Sequence, residues 1–456
     1  MNLRGPGRIL LVSCYELGHQ PLGLAWPRAF LERAGYSPAV RDLAVEPVDE
    51  ATIAAAGCVA IAVPMHTALR IGVAFARRVR AINPDCFVCF YGLYASLNAE
   101  VLLSDLADAV IGGEMEERLV QLIGEVESGA SGDAARTPLE RLTFPVPARR
   151  GLPDLHRYVH FARDGTTVPA GYVEASRGCL HLCLHCPIPP VYGGRFFAVP
   201  RAIVLADIRQ LIAGGARHIT FGDPDFLNGP THAVKLARAV HAEFPEVSFD
   251  CTTKVEHILE HRELFPELAA LGCAFVVSAV ESTSDVVLRT LEKGHTRADV
   301  DTALAITREA GITLRPSFVA FTPWTTLDDY RDMLEFVDAR GLVHDVDPVQ
   351  YAIRLLVPLG SSLLARPSVR AVLGELDPER FTYRWTHPDP RMDALHQRVT
   401  GIVEAAARRE ATASDTFELI MEAALIARGE PTRRAAARGA PRIPARSPRL
   451  TEPWFC

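Results

Sequence analysis

The sequence predicts an α/β protein with two successive parallel sheets, followed by a helical carboxyl-terminal region and a flexible tail. Three observations predict this class. Short apolar runs alternate with helical patterns in residues 1–130, the alternation resumes at Gly171, and helical patterns predominate after residue 360. Continuous apolar strands that alternate with helices are typical of parallel sheets covered on both faces.

Residues 1–130 predict a Rossmann-like, doubly wound parallel sheet. Four apolar runs are separated by helical patterns, and they read RILLVS, CVAIAVP, CFVCFYG and ADAVIGG. In such a sheet, ligands bind in the crevice beyond the carboxyl ends of the strands. Residues 131–170 are richer in Gly, Pro, Arg and Asp and have no clear periodicity, which predicts a linker.

Residues 171–360 predict a partial (β/α)6, TIM-like barrel. Six strand-like runs are separated by helical stretches, and they read GYVEAS, HITFGD, VSFDCTT, CAFVVSAV, ITLRPSFVAF and VQYAIRLLV. In barrels of this kind the chemistry lies on the loops after the strand carboxyl ends. Residues 361–430 predict helices, and residues 431–456 predict a flexible tail rich in Arg and Pro that ends in cysteine.

Composition narrows the function classes. The chain has 456 residues and a net charge of −7, which argues against a nucleic-acid partner that needs a broad basic surface. No signal peptide and no apolar run of about 20 residues is evident, so we expect no membrane association and a cytoplasmic location. In that compartment, clustered cysteines indicate a metal or catalysis more often than disulfides.

One segment, ASRGCLHLCLHCPIPPVYGG, holds three closely spaced cysteines, Cys179, Cys183 and Cys186, after the first predicted barrel strand. Zinc requires four ligands, and His181 or His185 could supply the fourth, so zinc remains an alternative. Three thiolates could instead hold a [4Fe–4S] cluster and leave one iron open.

The spacing Cys-x3-Cys-x2-Cys, after the first strand of a six-unit βα barrel, resembles the radical SAM superfamily. That resemblance implies a [4Fe–4S] cluster whose open iron binds S-adenosylmethionine (SAM). It further implies reductive cleavage of SAM to a 5′-deoxyadenosyl radical, which takes hydrogen from a C–H bond of a small-molecule substrate. An electron donor such as flavodoxin or ferredoxin would then be a partner.

The same resemblance implies a set of SAM-contacting residues. In TFGDPDF they are Gly222 and Asp223, and in SAVES they are Ser278, Glu281 and Ser282; Arg315 and His185 complete the set. His185 stands where the family usually has an aromatic residue. Without the cysteines, the acidic members would be read as helix caps and Arg315 as a structural ion-pair partner.

The end of the first domain, ADAVIGGEMEERLVQLI, resembles the close of the cobalamin-binding-type domain that precedes many radical SAM barrels. Gly113, Glu114 and Glu116 match its Gly-Glu-x-Glu pattern. The Asp-x-His-x-x-Gly motif that supplies an axial histidine is absent, and His19 lacks the required aspartate. Two alternatives stay open: the domain binds cobalamin, or it keeps the fold without the cofactor.

The tail PRLTEPWFC resembles a small group of radical SAM proteins in which the Cys is followed by Cys or selenocysteine and then Ala-Glu-Pro. We hypothesise that an in-frame UGA codon for selenocysteine follows Cys456. The genomic sequence beyond that codon tests this, and an ordinary stop without a downstream Ala-Glu-Pro contradicts it.

The sequence therefore favours a radical SAM enzyme acting on a small molecule, with cobalamin-dependent methylation as one outcome. A tRNA methylthiotransferase relative is the second hypothesis. It needs a second cluster, for which the amino-terminal cysteines are poorly arranged; these are Cys14, Cys58, Cys86 and Cys89. The third hypothesis is a zinc-stabilised binding protein without catalysis.

Overall fold

The computed structural model describes residues 2–130, 134–431 and 447–452. The amino-terminal domain contains one sheet with strand order β2-β1-β3-β4-β5-β6, in which all neighbours are parallel. Its strands are β1 (Ile9–Ser13), β2 (Ala39–Asp42), β3 (Cys58–Ala62), β4 (Phe87–Tyr91), β5 (Ala109–Ile111) and β6 (Ala135–Arg136). Its helices are α1 (Leu22–Arg33), α2 (Glu50–Ala55), α3 (His66–Ile82), α4 (Leu93–Leu97), α5 (Ala99–Asp105) and α6 (Glu116–Ser128). The predicted doubly wound sheet is confirmed, and its topological switch point lies between β1 and β3.

The second sheet forms the partial barrel and has strand order β14-β13-β12-β11-β8-β7-β17. Strands β8, β11, β12, β13 and β14 are parallel, whereas β7 and β17 extend the sheet in antiparallel pairing. These strands are β7 (His160–Arg163), β8 (Thr166–Val173), β11 (His218–Phe221), β12 (Ser248–Thr252), β13 (Cys273–Glu281), β14 (Thr313–Phe318) and β17 (Arg449–Leu450). Two small antiparallel ribbons pair β9 (Ser176–Gly178) with β10 (Phe196–Ala198) and β15 (Leu373–Asp377) with β16 (Thr382–Trp385).

Helices cover the outside of this sheet and form the carboxyl-terminal region. They are α7 (Pro189–Tyr192), α8 (Arg201–Ala213), α9 (Pro230–Glu243), α10 (Val255–Glu260), α11 (Phe265–Ala270), α12 (Asp285–Thr290), α13 (Arg297–Ala310), α14 (Leu327–Ala339), α15 (Pro367–Arg370), α16 (Pro390–Arg409) and α17 (Ala413–Arg428). None of the helices within the described ranges is long and apolar enough to cross a bilayer.

Two parts of the chain differ from the sequence prediction. The sixth predicted barrel strand, VQYAIRLLV, forms a 3-10 helix at Pro348–Ala352 and a single bridge between Phe321 and Arg354. Pro348 has no N–H for a strand ladder and favours the first turn of a helix. The predicted linker 131–170 contains β6, β7 and the start of β8, because a turn at Asp164 and Gly165, both with positive φ, folds β7 onto β8.

Helix α1 connects the first domain to the hydrophobic core of the barrel. Helix α1 of the first domain packs Trp26 and Phe30 against Phe144, and these residues belong to the same cluster as the barrel interior. A buried ion pair between Arg149 and Asp207 lies next to this contact. The carboxyl ends of the first sheet therefore lie beside the rim of the barrel.

Candidate functional site

The three cysteines of the motif lie on the loop between β9 and α7, at the rim of the barrel. Cys179, Cys183 and Cys186 line one cavity of about 100 Å³. The short β9–β10 ribbon closes the base of this loop. Gly178 has a φ of +73°, and a Cβ there would collide with the carbonyl oxygen of Arg195, so the loop requires glycine at this position.

Backbone contacts hold the cluster loop, which we define as residues 179–186. The Leu180 N–H donates to Asn228 Oδ1 at 3.2 Å, and the Leu184 N–H donates to the Leu291 carbonyl at 3.0 Å. Asn228 Oδ1 also lies 3.8 Å from Cys179 Sγ. The loop is thus anchored to two different barrel loops, which fixes where its thiols lie.

The spacing of the three thiols argues against a single metal ion. In the described part of the chain, the one group of His, Cys, Asp or Glu ligand atoms that lie within 4.8 Å of one another is His181, Asp225 and His257. Sulfurs around one zinc lie within about 4 Å of each other, since a Zn–S bond is about 2.3 Å long. The wider arrangement of the thiols suits a cluster of several irons.

Charged side chains surround the cluster loop. Glu281 Oε1 lies 3.1 Å from His185 Nε2 and 3.3 Å from Lys293 Nζ. Burial alone would raise the pKa of Glu281, but Lys293 and His185 outweigh it and hold that pKa at about 2. Glu281 has a φ of +66° next to a register shift in β13, and this bulge turns its backbone at the cavity wall.

Burial disfavours free thiolates in this cavity. It raises the pKa of Cys186 to about 12 and raises that of Cys179 as well. A bound metal supplies the positive charge that stabilises thiolates, so cluster binding and proton release are coupled here. Lys293 lowers the pKa of Cys186 and is a residue that the sequence analysis did not single out.

A second network holds the loop from the other side. The Asp225 carboxylate lies 2.8 Å from His257 Nδ1 and 3.6 Å from His181 Nε2. Burial would raise the pKa of Asp225, but the two histidines lower it. His181 also lies 3.2 Å from the ammonium group of Lys254, which lines the cavity.

The predicted SAM residues fall into three groups. His185 and Glu281 line the cluster cavity, whereas Gly222 lines the two neighbouring cavities and Arg315 lies inside the barrel. Asp223 accepts hydrogen bonds from the Ala175 N–H and the Ser176 hydroxyl, and burial raises its pKa to about 7. The remaining predicted SAM residues, Ser278 and Ser282, are also buried. Ser278 Oγ makes no hydrogen bond within the described residues, and Ser282 Oγ accepts one from the Ser284 N–H.

A larger cavity of about 370 Å³ lies between the two domains. On one side it is lined by residues that follow β1, β3, β4 and β5, which include Glu16, Met65, Gly92 and Gly113. This is the crevice that a doubly wound sheet presents to ligands. Among the described residues it receives no imidazole, because His19 lies in the barrel interior, where its ring stacks on Tyr172 at 4.6 Å.

Arg177 joins this interdomain cavity to the cluster loop. Its guanidinium forms two hydrogen bonds to Glu116, of 2.7 and 3.0 Å, and ion pairs with Glu114 and Glu174. The sequence pattern that ends the first domain therefore holds a residue two positions before Cys179. The spacing of the cysteines contained no signal for this contact.

Three cavities thus meet at one place. Ile188 and Pro224 line both the cluster cavity and the interdomain cavity, and Thr252 lines the cluster cavity and the barrel interior. Gly222 and Tyr172 line the interdomain and barrel-interior cavities. A doubly wound sheet whose crevice faces a thiol-lined loop on a partial barrel defines a cofactor-dependent α/β protein.

Comparison with known proteins specifies that class. Residues 173–337 match the model of the radical SAM superfamily, so this region is a radical SAM domain. The family uses a [4Fe–4S] cluster and SAM, as the resemblance implied.

Two curated relatives are 25% identical to the chain. A hopanoid C-3 methylase from Methylococcus capsulatus matches over 324 residues, 67% of this chain and 62% of that protein. A tRNA-2-methylthio-N(6)-dimethylallyladenosine synthase from Halorhodospira halophila matches over 284 residues, 58% of this chain and 56% of that protein. The chain thus spans less than two thirds of the length of either relative.

Solved structures share the fold over both domains. The cobalamin-dependent radical SAM enzyme OxsB with aqua-cobalamin has a TM-score of 0.67 at 13% identity, covering 90% of this chain and 72% of OxsB. The radical SAM methyltransferase TsrM from Kitasatospora setae, with cobalamin and a [4Fe–4S] cluster, has a TM-score of 0.60 at 18% identity and covers 73% and 70%. The predicted two-domain fold class is confirmed. Cys456 and its tail motif lie outside the described residues, and the selenocysteine hypothesis stays a prediction.

Proposed function

We propose that this protein is a radical SAM enzyme that functionalises a C–H bond of a small molecule, with cobalamin-dependent methylation as its outcome. One observation carries the proposal: the cavity lined by Cys179, Cys183 and Cys186 adjoins both the interdomain cavity and the barrel interior. A cluster, a corrinoid and a substrate would then meet at one place. An electron donor such as flavodoxin or ferredoxin is required.

The residues of this chain have distinct roles in the proposal. Cys179, Cys183 and Cys186 would hold the cluster, and the chemistry that a cluster and SAM would supply there is reductive formation of a 5′-deoxyadenosyl radical. Lys254 and Lys293 line the same cavity as the thiols, each paired with a glutamate, and would place positive charge near a bound anionic group. Glu281 holds Lys293 and His185 in place at the wall of this cavity.

Cobalamin fits the interdomain cavity by its position and its walls. The cavity lies at the carboxyl ends of four parallel strands, and Gly92, with a φ of +107°, leaves the end of β4 without a side chain. OxsB and TsrM, which share this fold, contain cobalamin in their solved structures. The cavity would supply no histidine ligand from the described residues, in agreement with the absence of the axial-histidine motif.

The methylthiotransferase alternative receives no support from the described cysteines. Cys14, Cys58 and Cys89 are buried in the amino-terminal sheet, and Cys86 and Cys89 belong to hydrophobic clusters on opposite faces of it. They do not converge on a cavity that could hold a second cluster.

The first test is anaerobic reconstitution with iron and sulfide, followed by absorption spectroscopy and assay of 5′-deoxyadenosine from SAM. We expect about four irons per chain and reductant-dependent SAM cleavage, both lost when Cys179, Cys183 and Cys186 are replaced by Ala. Cys251→Ala, which removes a buried thiol of the same barrel, is the matched control and keeps both. Tightly bound zinc without iron would overturn the proposal.

The second test adds hydroxocobalamin before desalting. We expect the wild-type chain to retain corrinoid absorption. Met65→Trp, which fills the interdomain cavity, should lose the corrinoid and keep the cluster. A cluster without retained corrinoid would confine the proposal to radical chemistry without methylation through cobalamin.

A further inference from the structure

A third cavity, of about 90 Å³, lies inside the barrel sheet, and several charged side chains stand among its lining residues. Its walls come from strands β8, β11, β12, β13 and β14, from the loop after β1, and from the carboxyl-terminal segment 447–452. The cluster loop contributes none of its lining residues, and Arg315, which the resemblance assigned to SAM, lines this cavity and not the cluster cavity. We define the group that carries the argument as Arg315, Asp250 and Glu452.

Arg315 supplies an unsatisfied donor. Its side chain is 7% exposed, and its Nη2 donates to Asp347 Oδ1 at 3.0 Å. Its Nη1 is buried and has no hydrogen-bond partner within the described residues. A buried charged donor without an acceptor is costly, so a ligand oxygen, best supplied by a carboxylate, would satisfy it.

Acidic groups lie on the same cavity. Asp250 is 2% exposed, and its Oδ1 accepts from Thr220 at 2.7 Å and lies 2.8 Å from His218 Nε2. Within the described residues, Asp250 Oδ2 accepts no hydrogen bond. Glu452 Oε1 accepts from the Tyr15 hydroxyl at 2.7 Å.

The balance of charge favours a cation in addition to an anion. Arg315 and Asp347 form an ion pair, Asp250 is held through Oδ1 by Thr220 and His218, and Glu452 adds a further carboxylate on the cavity. His19 adds no positive charge, because burial lowers its pKa to about 3. An ammonium group would complement the buried carboxylate of Asp250 and the half-buried carboxylate of Glu452.

The carboxyl-terminal segment is held as part of this wall. Leu450 and Arg449 pair with Phe161 and Ala162 as an antiparallel edge strand. Thr451 donates from its N–H to the His160 carbonyl at 2.8 Å and accepts from the His160 N–H through its hydroxyl at 2.9 Å. These bonds carry Glu452 to the loop after β1, where its side chain occupies the space that a Cβ on Gly18 would need.

We propose that the barrel-interior cavity binds an amphoteric end of the substrate, with a carboxylate on Arg315 and an ammonium group on Asp250 and Glu452. The substrate class is thus an amino acid or a molecule with an amino-acid-like end, and the carboxyl-terminal segment belongs to its binding site. The inference rests on the proposed function, because Thr252 connects this cavity to the one that holds the thiols.

The test measures binding of defined probes to the reconstituted full chain by saturation-transfer NMR. The probes are ω-amino acids from glycine to 5-aminopentanoate, with propionate and propylamine as single-charge controls. We expect at least one amphoteric probe to bind, and each single-charge probe to bind at least about tenfold more weakly. Absence of binding by every amphoteric probe, or equal binding by propionate or propylamine, overturns the proposal.

Variants locate the site. We expect Arg315→Gln to weaken binding of the probe by about 10- to 100-fold. Glu452→Gln should weaken it by about 3- to 10-fold. Arg384→Gln, which breaks an Arg–Asp pair with an exposed arginine, is the matched control and should change nothing. Glu452 lies outside the core, so Glu452→Gln should fold even if Arg315→Gln does not. Unchanged probe binding in Glu452→Gln overturns the role of the segment 447–452. Probe binding is read without SAM cleavage, so a failure of the cluster assay and a failure of this test are distinguishable.

Discussion

The cluster loop and the barrel-interior cavity lie side by side, yet they are built in opposite ways. The loop draws its three thiols from eight consecutive residues, and one glycine at its base sets its path. The cavity draws its charged groups from β12, β14 and a segment that lies 137 positions beyond Arg315 at Glu452. A candidate cofactor site can therefore be local in sequence while a neighbouring cavity is assembled only by the fold.

This difference explains how much could be predicted. Spacing alone identified Cys179, Cys183 and Cys186, and alternating apolar runs predicted both sheets. The placement of Arg315 away from the cluster cavity could not be predicted, because a strand position does not reveal which cavity its side chain lines. Arg177 and Lys293 were missed for the same reason, since their partners are distant in sequence or hidden by burial.

The carboxyl-terminal segment is the clearest limit of sequence reasoning. Composition predicted a flexible tail from residue 431 onward, and short polar segments rich in Arg and Pro normally support that prediction. Residues 447–452 instead extend the barrel sheet, because Leu450 packs beside Phe161 and Phe275 while Thr451 satisfies the edge of β7. Two apolar contacts and an open strand edge outweighed the composition.

We expect the largest effect from a substitution that tests whether the cluster loop depends on the first domain. Arg177→Met leaves Glu116 buried without its partner, and loss of one member of a buried pair costs about 3–5 kcal/mol. We expect a lower free energy of unfolding and a poorly reconstituted cluster, measured by chemical denaturation and iron content. The double variant Arg177→Met/Glu116→Gln should recover part of the stability. Full cluster content in Arg177→Met would show that the loop is independent of the first domain.

A smaller effect concerns Asp223, which lies between the two regions and belongs to neither cavity. Burial raises its pKa from 3.8 to about 7, so between those values the folded chain holds a proton that the unfolded chain releases. This contribution to the free energy of unfolding is therefore present at low pH and is lost as pH rises through about 7.

We expect Asp223→Asn to flatten the fall in stability between about pH 4 and about pH 7, measured by chemical denaturation. Asp301→Asn, which affects a partly exposed ion pair with Arg340, should leave that slope unchanged. Asp223→Asn with the wild-type slope would mean that Asp223 is ionised in the folded chain. Its carboxylate would then be available to a cationic ligand, as the resemblance implied.

We expect the smallest effect at the barrel-interior cavity, where Tyr15 contacts the carboxyl-terminal segment. Tyr15→Phe removes the hydrogen bond from the phenol to Glu452, and one such bond to a charged group contributes about 1.5–3 kcal/mol when formed. Because the segment 447–452 docks on the sheet through few bonds, we expect the loss to appear as local opening and not as global unfolding. Hydrogen exchange of a peptide covering this segment, followed by mass spectrometry, should be at least about tenfold faster at unchanged melting temperature.

Tyr330→Phe removes a phenol hydrogen bond elsewhere in the barrel, and it should not change exchange of the segment. Equal exchange in Tyr15→Phe and the wild type would show that strand pairing with β7 alone holds the segment, and that Glu452 is free to turn toward a bound ammonium group.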